Sequence, residues 1–468
     1  MTPAFLAMLA YLALQLGIGV WISRRIRSES DYLLAGRNLG YSLATFSIFA
    51  TWFGAETMVG SAGNAYRDGV SLGNAEPFGY GLCLILAGLV FAGPLWRRRL
   101  TTLADLFRQR YSVGVERMVA LILIPGSILW AAAQIRAFGY ILSTSSRISP
   151  DVAIACAAGF TMLYTMFGGL LADATNDMIQ SVVISVGLFV LLGGVLIELQ
   201  QTDRLAETLG AVGPVSLLPA TGASAWAIAE EWAIPICGSV IAAELVGRLI
   251  ATRTPVIARR SSITAGVLYI IVGTIPLIIG LLGQHIVPTL GEAEQVIPAV
   301  AQALLPTFFF AIFAGSMVAA ILSTVDSTLL VSSGLMSHNI LIPVFRISNE
   351  QTKVLLARAG VLVFGAVAYV QAIRAEGVFE LVESASAFGS AGILVTAVFG
   401  LFTPMGGRFA AMGTLTAGLI VYLWATFAGF AYPYLLSLAT SVLIYVTIAV
   451  WERVAERFDA AKGEQLRG

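Results

Sequence analysis

The chain has 468 residues, of which 58% are hydrophobic and only 12% are charged. An average globular domain is roughly 25% charged, so these figures exclude most classes of soluble protein. The 27 basic and 27 acidic residues balance, which leaves no excess of positive charge for phosphates, and we expect no nucleic-acid partner. Apolar runs of about twenty residues recur from end to end, long enough to cross a hydrocarbon layer of ~30 Å and typical of a polytopic membrane protein.

These apolar runs predict an all-α fold in one membrane domain. The longest polar insert, 200–224, is too short to form a separate domain. We expect the first run to be retained as a span, because its basic residues follow it, whereas a signal peptide carries them in front. The thirteen predicted spans lie near 4–23, 41–66, 74–96, 117–144, 150–169, 177–199, 225–248, 261–284, 300–340, 354–373, 378–402, 409–428 and 431–451.

The basic residues are divided unevenly between the predicted loops. With the amino terminus outside, 22 of them lie in cytoplasmic loops or in the carboxy-terminal tail, 452–468, against four on the other side, and Arg136 lies within a span. By the positive-inside rule we predict a plasma (inner) membrane protein with its amino terminus outside and its carboxy terminus in the cytoplasm. One predicted cytoplasmic loop, 168–176, contains no basic residue and instead carries Asp173.

Two predicted spans contain residues that interrupt a helix. Span 41–66 contains Gly54 and Glu56, and span 225–248, five spans later, contains Pro235. Interrupted helices at matching places in two halves of a chain are the sequence pattern of an inverted-repeat secondary transporter, whose substrate and ion sites lie where the backbone is unwound. The pattern therefore predicts a transporter built from two repeats.

Several acidic residues lie within or beside the predicted spans, where a charge costs at least roughly 2.5 kcal/mol. Glu56 follows Gly54, where loosened backbone carbonyls can turn toward a cation; alternatively, it is a structural acid bonded to a neighbouring helix. Glu76 precedes Pro77 at a helix start, and it either binds a ligand or favours the helix dipole. Asp177 is either a dipole partner at the start of a span or part of the route by which a cation leaves.

The densest polar run in an apolar region is AAILSTVDST at 319–328. Ser323 and Thr324 each have a second hydroxyl residue four positions later, and Asp326 lies within one turn of all four. Hydroxyl and carbonyl oxygens form the hard-oxygen environment that sodium requires, without the several carboxylates that a divalent cation prefers. A bond to its own helix explains each hydroxyl taken alone, but the cluster as a whole favours an ion site.

Catalytic and metal-binding motifs are missing from the sequence. The three cysteines lie within apolar runs, and His285 and His338 have no second ligand nearby in the sequence, so neither zinc nor redox chemistry is indicated. The phosphate-binding loop Gly-x-x-x-x-Gly-Lys-Ser/Thr does not occur, which excludes ATP-driven pumping by this chain alone. We therefore predict that the protein is not an enzyme.

Four segments carry a recognisable family pattern. They are SDYLLAGRNLG at 30–40, the run 50–66, YTMFGG at 164–169 with DMIQ at 177–180, and the run 319–333. In order and spacing the chain resembles the solute:sodium symporter family over essentially its whole length. The resemblance implies two five-helix inverted repeats, at about 41–199 and 225–402, with alternating access to a central site. It also implies one extra helix before this core, 4–23, and two helices after it, 409–451.

The family resemblance further implies functional residues. In this family one sodium ion is held by carbonyl and hydroxyl oxygens of the first and eighth core helices, which here correspond to Ala50, Phe53, Ala320, Ser323 and Thr324. Asp177 matches the acidic residue of the fifth core helix that is associated with ion passage. The positions at or beside the substrate are Trp52, Glu56, Thr57, Glu76, Gln134 and Glu244. Proline-transporting members carry an acid at the position of Trp52, which argues against proline as the substrate.

The expected function is sodium-coupled symport of a small polar organic solute, such as an amino acid, a sugar or a related metabolite, into the cell. The expected partners are the solute, the sodium ion and the lipid bilayer, with no obligatory protein partner. Proton coupling in the same fold is the main alternative, because Glu56, Asp177 and Glu244 can titrate if they are buried.

A solute-sensing membrane module is the less favoured alternative, because the 17 residues after the last predicted span leave no room for a kinase. A membrane enzyme is disfavoured because no nucleophile or metal constellation is visible among the spans. The acids at Glu56, Glu76 and Glu244, with Arg136 as the one base within a span, favour a zwitterionic or amine-bearing solute over a dianion.

Overall fold

The computed structural model describes residues 3–70, 75–145, 148–204, 224–291, 293–375 and 378–465, apart from some side chains within these ranges. Throughout these ranges the chain is almost entirely helical, and β-type pairing is limited to an isolated bridge between Leu39 and Thr252. The all-α prediction is therefore confirmed.

We number the α-helices of the described residues in chain order. Helices α1 to α9 are Pro3–Ser23, Glu29–Leu34, Tyr41–Trp52, Ala62–Asp68, Phe78–Leu86, Ala92–Arg97, Ala104–Arg110, Val113–Ser145 and Pro150–Gln201. Helices α10 to α20 are Ala225–Ala233, Ala243–Ile250, Pro255–Gly283, Val296–Leu304, Thr307–Met336, Ile342–Phe345, Glu350–Arg374, Val378–Ala387, Ser390–Phe402, Arg408–Phe427 and Pro433–Gln465. Wider π-helical turns occur at Glu56–Ser61, Ala87–Phe91, Ile234–Gly238 and Ser337–Leu341.

Ten helical segments of the described residues are long and apolar enough to cross a membrane, so the predicted number of thirteen is not confirmed. Helix α1, Pro3–Ser23, covers the first predicted span and is not among the ten. A break divides the span predicted at 41–66 into α3 and α4, and α9 contains the two spans predicted at 150–169 and 177–199 as helical segments on either side of a kink at Gly169. The last helix, α20, continues to Gln465 through most of the predicted tail.

Of the loop predicted at 168–176, the structure shows a sharp kink at Gly169, while the residues that follow it are helical. Gly169 has the non-helical backbone conformation there (φ +59°, ψ −177°), and α9 changes direction at this point. A Cβ at Gly169 would lie 2.9 Å from the carbonyl oxygen of Tyr32 in α2, so only glycine fits. Tyr32 Oη also donates to the carbonyl of Thr165 at 3.2 Å. Asp173, expected in the loop, is instead only 4% exposed.

The second interrupted span is confirmed, because the chain between α10 and α11 leaves the helical path after the turn Ile234–Gly238.

Close to this break, Glu230 attaches the core to the carboxy-terminal helices. The backbone N–H groups of Tyr434 and Leu435, in the first turn of α20, donate to the two carboxylate oxygens of Glu230 at 2.6 and 2.8 Å. A carboxylate at a helix N-terminus satisfies amides that have no intrahelical partner.

His338 attaches one end of α14 to α2 and α7. Its Nδ1 lies 2.9 Å from Glu29 Oε1 of α2, and its Nε2 lies 3.4 Å from Asp105 Oδ1 of α7. Burial acts to raise the pKa of Asp105, but the hydrogen bond and charge of His338 and the N–H groups of Thr101 and Thr102 lower it overall. His338 therefore serves helix packing in this structure.

Candidate functional site

The break after α3 leaves two backbone carbonyls without their usual helical donors. In an α-helix, the N–H of residue i+4 bonds to the carbonyl of residue i. Here the N–H of Gly54 bonds to the carbonyl only two residues before it, at 3.0 Å. The N–H of Ala55 donates to Gln134 Oε1 of α8 at 2.9 Å. The carbonyls of Ala50 and Thr51 are therefore left for another partner.

Thr324 of α14 reaches these two carbonyls. Its Oγ1 donates to the carbonyl of Thr51 at 3.1 Å and lies 3.5 Å from that of Ala50. The approach is close at Gly54, where a Cβ would lie 2.7 Å from Gln134 Oε1 and 2.9 Å from Thr324 Oγ1. Three neutral oxygens from two helices, separated by more than 270 residues in the sequence, thus meet at the break.

Of the five residues assigned to sodium by resemblance, the structure brings Ala50 and Thr324 into contact. Phe53 and Ala320 are buried, at 0% and 2% exposure. Thr51, which sequence reasoning did not include, supplies the closer carbonyl. Side-chain type gives no signal for this role, because the freed carbonyls depend on where the helix breaks and on which groups capture the displaced N–H donors.

Asp177 lies at the centre of a buried ionic cluster. It accepts hydrogen bonds from Ser47 Oγ of α3 at 2.6 Å and from the Ser323 hydroxyl of α14. Arg248 of α11 lies 2.7 Å from Asp173 and 3.5 Å from Asp177. Asp177 lies beyond the first turn of the helical segment that follows the kink at Gly169, so its predicted placement at a helix start is wrong. These five residues, which we call the ionic cluster, join four helices and contain two carboxyl groups for one guanidinium.

Sequence reasoning missed Arg248, which it counted among the cytoplasmic basic residues. The side chain is 1% exposed, and its Nε donates to Ser47 Oγ at 2.9 Å and to the Ser47 carbonyl at 3.2 Å. A signal was present in the sequence: Arg248 stands one turn after Glu244 in the short helix α11, whose other residues are apolar or glycine. Charged groups that share a mainly apolar helix usually face a polar interior.

Glu56 and Glu76 line a cavity of about 340 Å³, together with Glu231 of α10, Glu383 of α17 and Tyr80 of α5. We call it the acidic cavity. The structure therefore brings two of the predicted substrate residues together and adds two further glutamates. Sequence reasoning assigned neither Glu231 nor Glu383 to the site, because nothing local shows that distant helices meet.

Hydroxyl groups hold the two predicted glutamates of the acidic cavity. Thr57 Oγ1 and Tyr269 Oη donate to Glu76 Oε1 at 2.6 and 2.5 Å. Glu56 is hydrogen-bonded to Tyr80. Thr57, predicted to lie at the substrate, thus contacts Glu76 directly. Both tyrosines were missed, since an aromatic residue in an apolar span looks like ordinary core.

Glu244 lines a second cavity, of about 470 Å³, at the break between α10 and α11. We call it the central cavity. Ser127 Oγ of α8 donates to Glu244 Oε1 at 2.5 Å, and Ser239 and Ser386 contribute further hydroxyls. The Ser386 hydroxyl also lies 2.9 Å from Tyr80 Oη. This contact connects the linings of the two cavities. Of the predicted substrate residues, Glu56 and Glu76 line the acidic cavity and Glu244 lines the central cavity.

Trp52 and Gln134, also predicted near the substrate, lie outside the described lining of both cavities. The Trp52 ring packs edge-on against Trp130 with 6.0 Å between ring centroids, and Trp130 lines the central cavity. Gln134 is fully buried and holds the N–H of Ala55 at the break. Trp52 is therefore separated from the central cavity by Trp130, and Gln134 acts at the break after α3.

A sequence profile of the sodium:solute symporter family matches residues 32–421. The chain belongs to the sodium:solute symporter family. The matched range includes both helix breaks, the ionic cluster and both cavities, and it confirms the resemblance found in the sequence.

Curated relatives of this family member are transporters. High-affinity choline transporter 1 of Drosophila melanogaster is 26% identical over 392 residues, which cover 78% of this chain and 61% of the relative. The chain thus spans less than two thirds of the length of that relative. The sodium/pantothenate symporter of Escherichia coli (strain K12) is 28% identical over 352 residues, which cover 70% of each chain.

A solved structure of a Na+-coupled sialic acid symporter, in a substrate-bound outward-open state, has a similar fold. Its TM-score to this chain is 0.81 at 18% sequence identity, and the superposition covers 96% of this chain and 97% of that one. At this identity the likeness concerns the fold alone. The predicted five-plus-five inverted-repeat core is therefore confirmed.

Proposed function

We propose that this protein is a sodium-coupled symporter that carries a small polar organic solute into the cell across the plasma membrane. The observation that carries the proposal is the meeting of α3 and α14, where the carbonyls of Ala50 and Thr51 face Thr324 Oγ1. Family membership supports coupled symport. We assign the two inverted repeats to 41–199 and 225–402.

The chemistry of these oxygens fits a monovalent hard cation. Carbonyl and hydroxyl oxygens bind sodium without the two or three carboxylates that calcium or magnesium sites usually contain. Phe53, Ala320 and Ser323, all buried, are the further residues that we assign to the ion. The nearby carboxylate of Asp177 adds negative charge, and we assign it to the path of the ion.

Binding at this position couples the ion to the solute because it connects two helices that belong to different repeats. An ion shared by α3 and α14 stabilises the arrangement in which the break is intact. Glu56 follows the same break and lines the acidic cavity, and Thr57 next to it donates to Glu76 of that cavity. The arrangement that favours the ion therefore also positions solute-binding groups. Each sodium ion that moves down about 100 mV of membrane potential releases ~2.3 kcal/mol, in addition to its concentration term.

Uptake in proteoliposomes tests the proposal. We expect accumulation of a polar solute, from a panel containing choline, pantothenate, glucose and amino acids, when sodium is outside and potassium inside at equal pH. Thr324→Val keeps the side-chain volume but removes the hydroxyl, and we expect it to weaken the apparent sodium affinity about tenfold or more. Thr324→Ser keeps the hydroxyl and should retain sodium dependence.

A matched control is Thr416→Val, because the Thr416 hydroxyl is exposed and donates to its own helix, to the Met412 carbonyl at 2.9 Å. This variant should transport like the parent protein. Accumulation that is indifferent to sodium, or that survives Thr324→Val unchanged, would contradict the proposal. Accumulation that is driven by a pH gradient in potassium alone would instead establish proton coupling.

A further inference from the structure

The acidic cavity brings carboxyl groups from distant parts of the chain together. Four carboxyl groups line it, those of Glu56, Glu76, Glu231 and Glu383, and none of the other described residues in its lining is basic. The glutamates come from separate parts of the chain, and Glu56 and Glu76 are only 5% and 9% exposed. Burying several carboxyl groups around one space is costly unless a cation or hydrogen-bond donors compensate for it.

Only one of the two carboxylate oxygens of Glu76 accepts hydrogen bonds from the described residues. Its Oε1 accepts hydrogen bonds from Thr57 and Tyr269, whereas its buried Oε2 has no hydrogen-bond partner among the residues that the structure describes. A buried acceptor without a partner is rare in folded proteins and often marks a position where a ligand completes the bonding. Because Glu76 lines the cavity, a ligand there can supply the missing donor.

The spacing of the carboxyl groups favours an extended cation over a metal ion. Within the described part of the chain, no three acidic, histidine or cysteine side chains lie close enough together to hold a metal ion. The acidic cavity is lined by aromatic and aliphatic side chains as well as by the carboxyl groups, a mixture found in binding sites for organic molecules. Tyr80 adds an aromatic ring to the wall, which attracts ammonium groups and tolerates methylated ones.

We infer that the acidic cavity binds the ammonium group of an organic cation, and that the transported solute is such a cation. The inference rests on the proposed function and names its substrate class. Glu76 Oε2 accepts a hydrogen bond from the ammonium group, or forms an ion pair with it where the group has no N–H. Glu231 and Glu383, which are half-buried, attract the cation into the cavity. Solutes with a net negative charge are repelled by the same groups.

Thermal unfolding of the purified full-length protein in detergent tests the inference. The probes are choline and 1,4-diaminobutane as cations, glucose as a neutral solute and pantothenate as an anion, each at millimolar concentration in sodium or potassium chloride. We expect the cations alone to raise the Tm, and to raise it more in sodium. Glu231→Gln and Glu383→Gln should each weaken cation binding about tenfold, equivalent to ~1.4 kcal/mol.

Asp68→Asn is the matched control, because Asp68 is exposed, pairs with Arg67 outside the cavity and also loses one negative charge. It should bind the cations like the parent protein. Sodium alone should still raise the Tm of both glutamine variants, which shows that they are folded. Stabilisation by pantothenate or glucose but not by the cations, no shift with either cation, or unchanged affinity in the glutamine variants would overturn the inference. Cation binding that is equal in sodium and potassium would instead count against sodium coupling and leave the cation site standing.

Discussion

At Gly54 the backbone, and not a side chain, determines the chemistry of the proposed ion site. The displaced N–H groups of Gly54 and Ala55 find other acceptors, and this displacement leaves carbonyls for Thr324. The packing around Gly54 is so close that a single methyl group has no place, since its nearest neighbours are the polar ends of Gln134 and Thr324. The residue therefore combines a helix break with close contact between three helices.

Substituting Gly54→Ala should disturb this arrangement. The added Cβ would lie 2.7 Å from Gln134 Oε1 and 2.9 Å from Thr324 Oγ1, so both side chains must move away from the break. Overpacking of this kind costs about 1–3 kcal/mol. We expect the apparent sodium affinity, measured from sodium-dependent uptake, to fall roughly tenfold, since ~1.4 kcal/mol corresponds to that factor.

Gly193→Ala provides the comparison, because a Cβ at Gly193 of α9 meets nothing within 4 Å. Alanine is the better helix former by roughly 0.5–1 kcal/mol, so this variant should be at least as stable as the parent and equally active. Equal sodium affinity in Gly54→Ala and Gly193→Ala would show that the break is not part of the ion site.

Among the helices, the ionic cluster holds α3, α9, α11 and α14 in one arrangement. Arg248 contacts Asp173, Asp177 and Ser47 in a part of the protein where all four are buried. A buried ion pair contributes little net stability compared with apolar packing, but removing one partner leaves the other charged and unsolvated. Removing one charged member of the ionic cluster should therefore destabilise the packing of these four helices.

We expect Arg248→Met to lower the free energy of unfolding by about 3–5 kcal/mol, because two carboxyl groups lose their counter-charge. Adding Asp173→Asn to this variant should recover part of the loss, which makes the two substitutions non-additive. Denaturant titration in detergent measures both effects. Arg67→Met is the control, since its exposed pair with Asp68 contributes at most about 1 kcal/mol. An equal loss in Arg67→Met and Arg248→Met would rule out the special role of the cluster.

The helix breaks could be predicted from the sequence, but the cluster could not. Glycine, proline and intramembrane glutamate interrupt the helix in which they occur. Gly54 and Pro235 therefore show in the local sequence where the two helices break. Arg248 meets Asp173 across 75 residues, and Glu231 and Glu383, which line the same cavity, are about twice as far apart in the sequence. Long-range pairs of this kind depend on how helices pack, and a single sequence contains no record of that packing.

For the whole molecule, most basic residues belong to the loops and the tail predicted to face the cytoplasm, which we call the basic end. Without the buried Arg248, 21 basic residues remain on the side predicted to be cytoplasmic, against four on the other. Several of them bind backbone carbonyls there: Arg37 donates to the carbonyl of Leu100 at 2.6 Å, and Arg110 donates to that of Gly406 at 3.0 Å. The basic end thus has a structural role in addition to its topological one.

This charge asymmetry predicts the orientation of the whole protein, which cysteine labelling in intact cells can measure. Gln109 lies among the basic residues of α7, on the side predicted to be cytoplasmic. Gln201 is the last residue of α9, on the side predicted to be external. Both are exposed and uncharged. After replacement of Cys83, Cys156 and Cys237, we expect a membrane-impermeant maleimide to label Gln201→Cys in intact cells. Gln109→Cys should react only after permeabilisation. Because the two substitutions are identical in kind and leave every charge in place, the reverse labelling pattern would mean that the amino terminus is cytoplasmic.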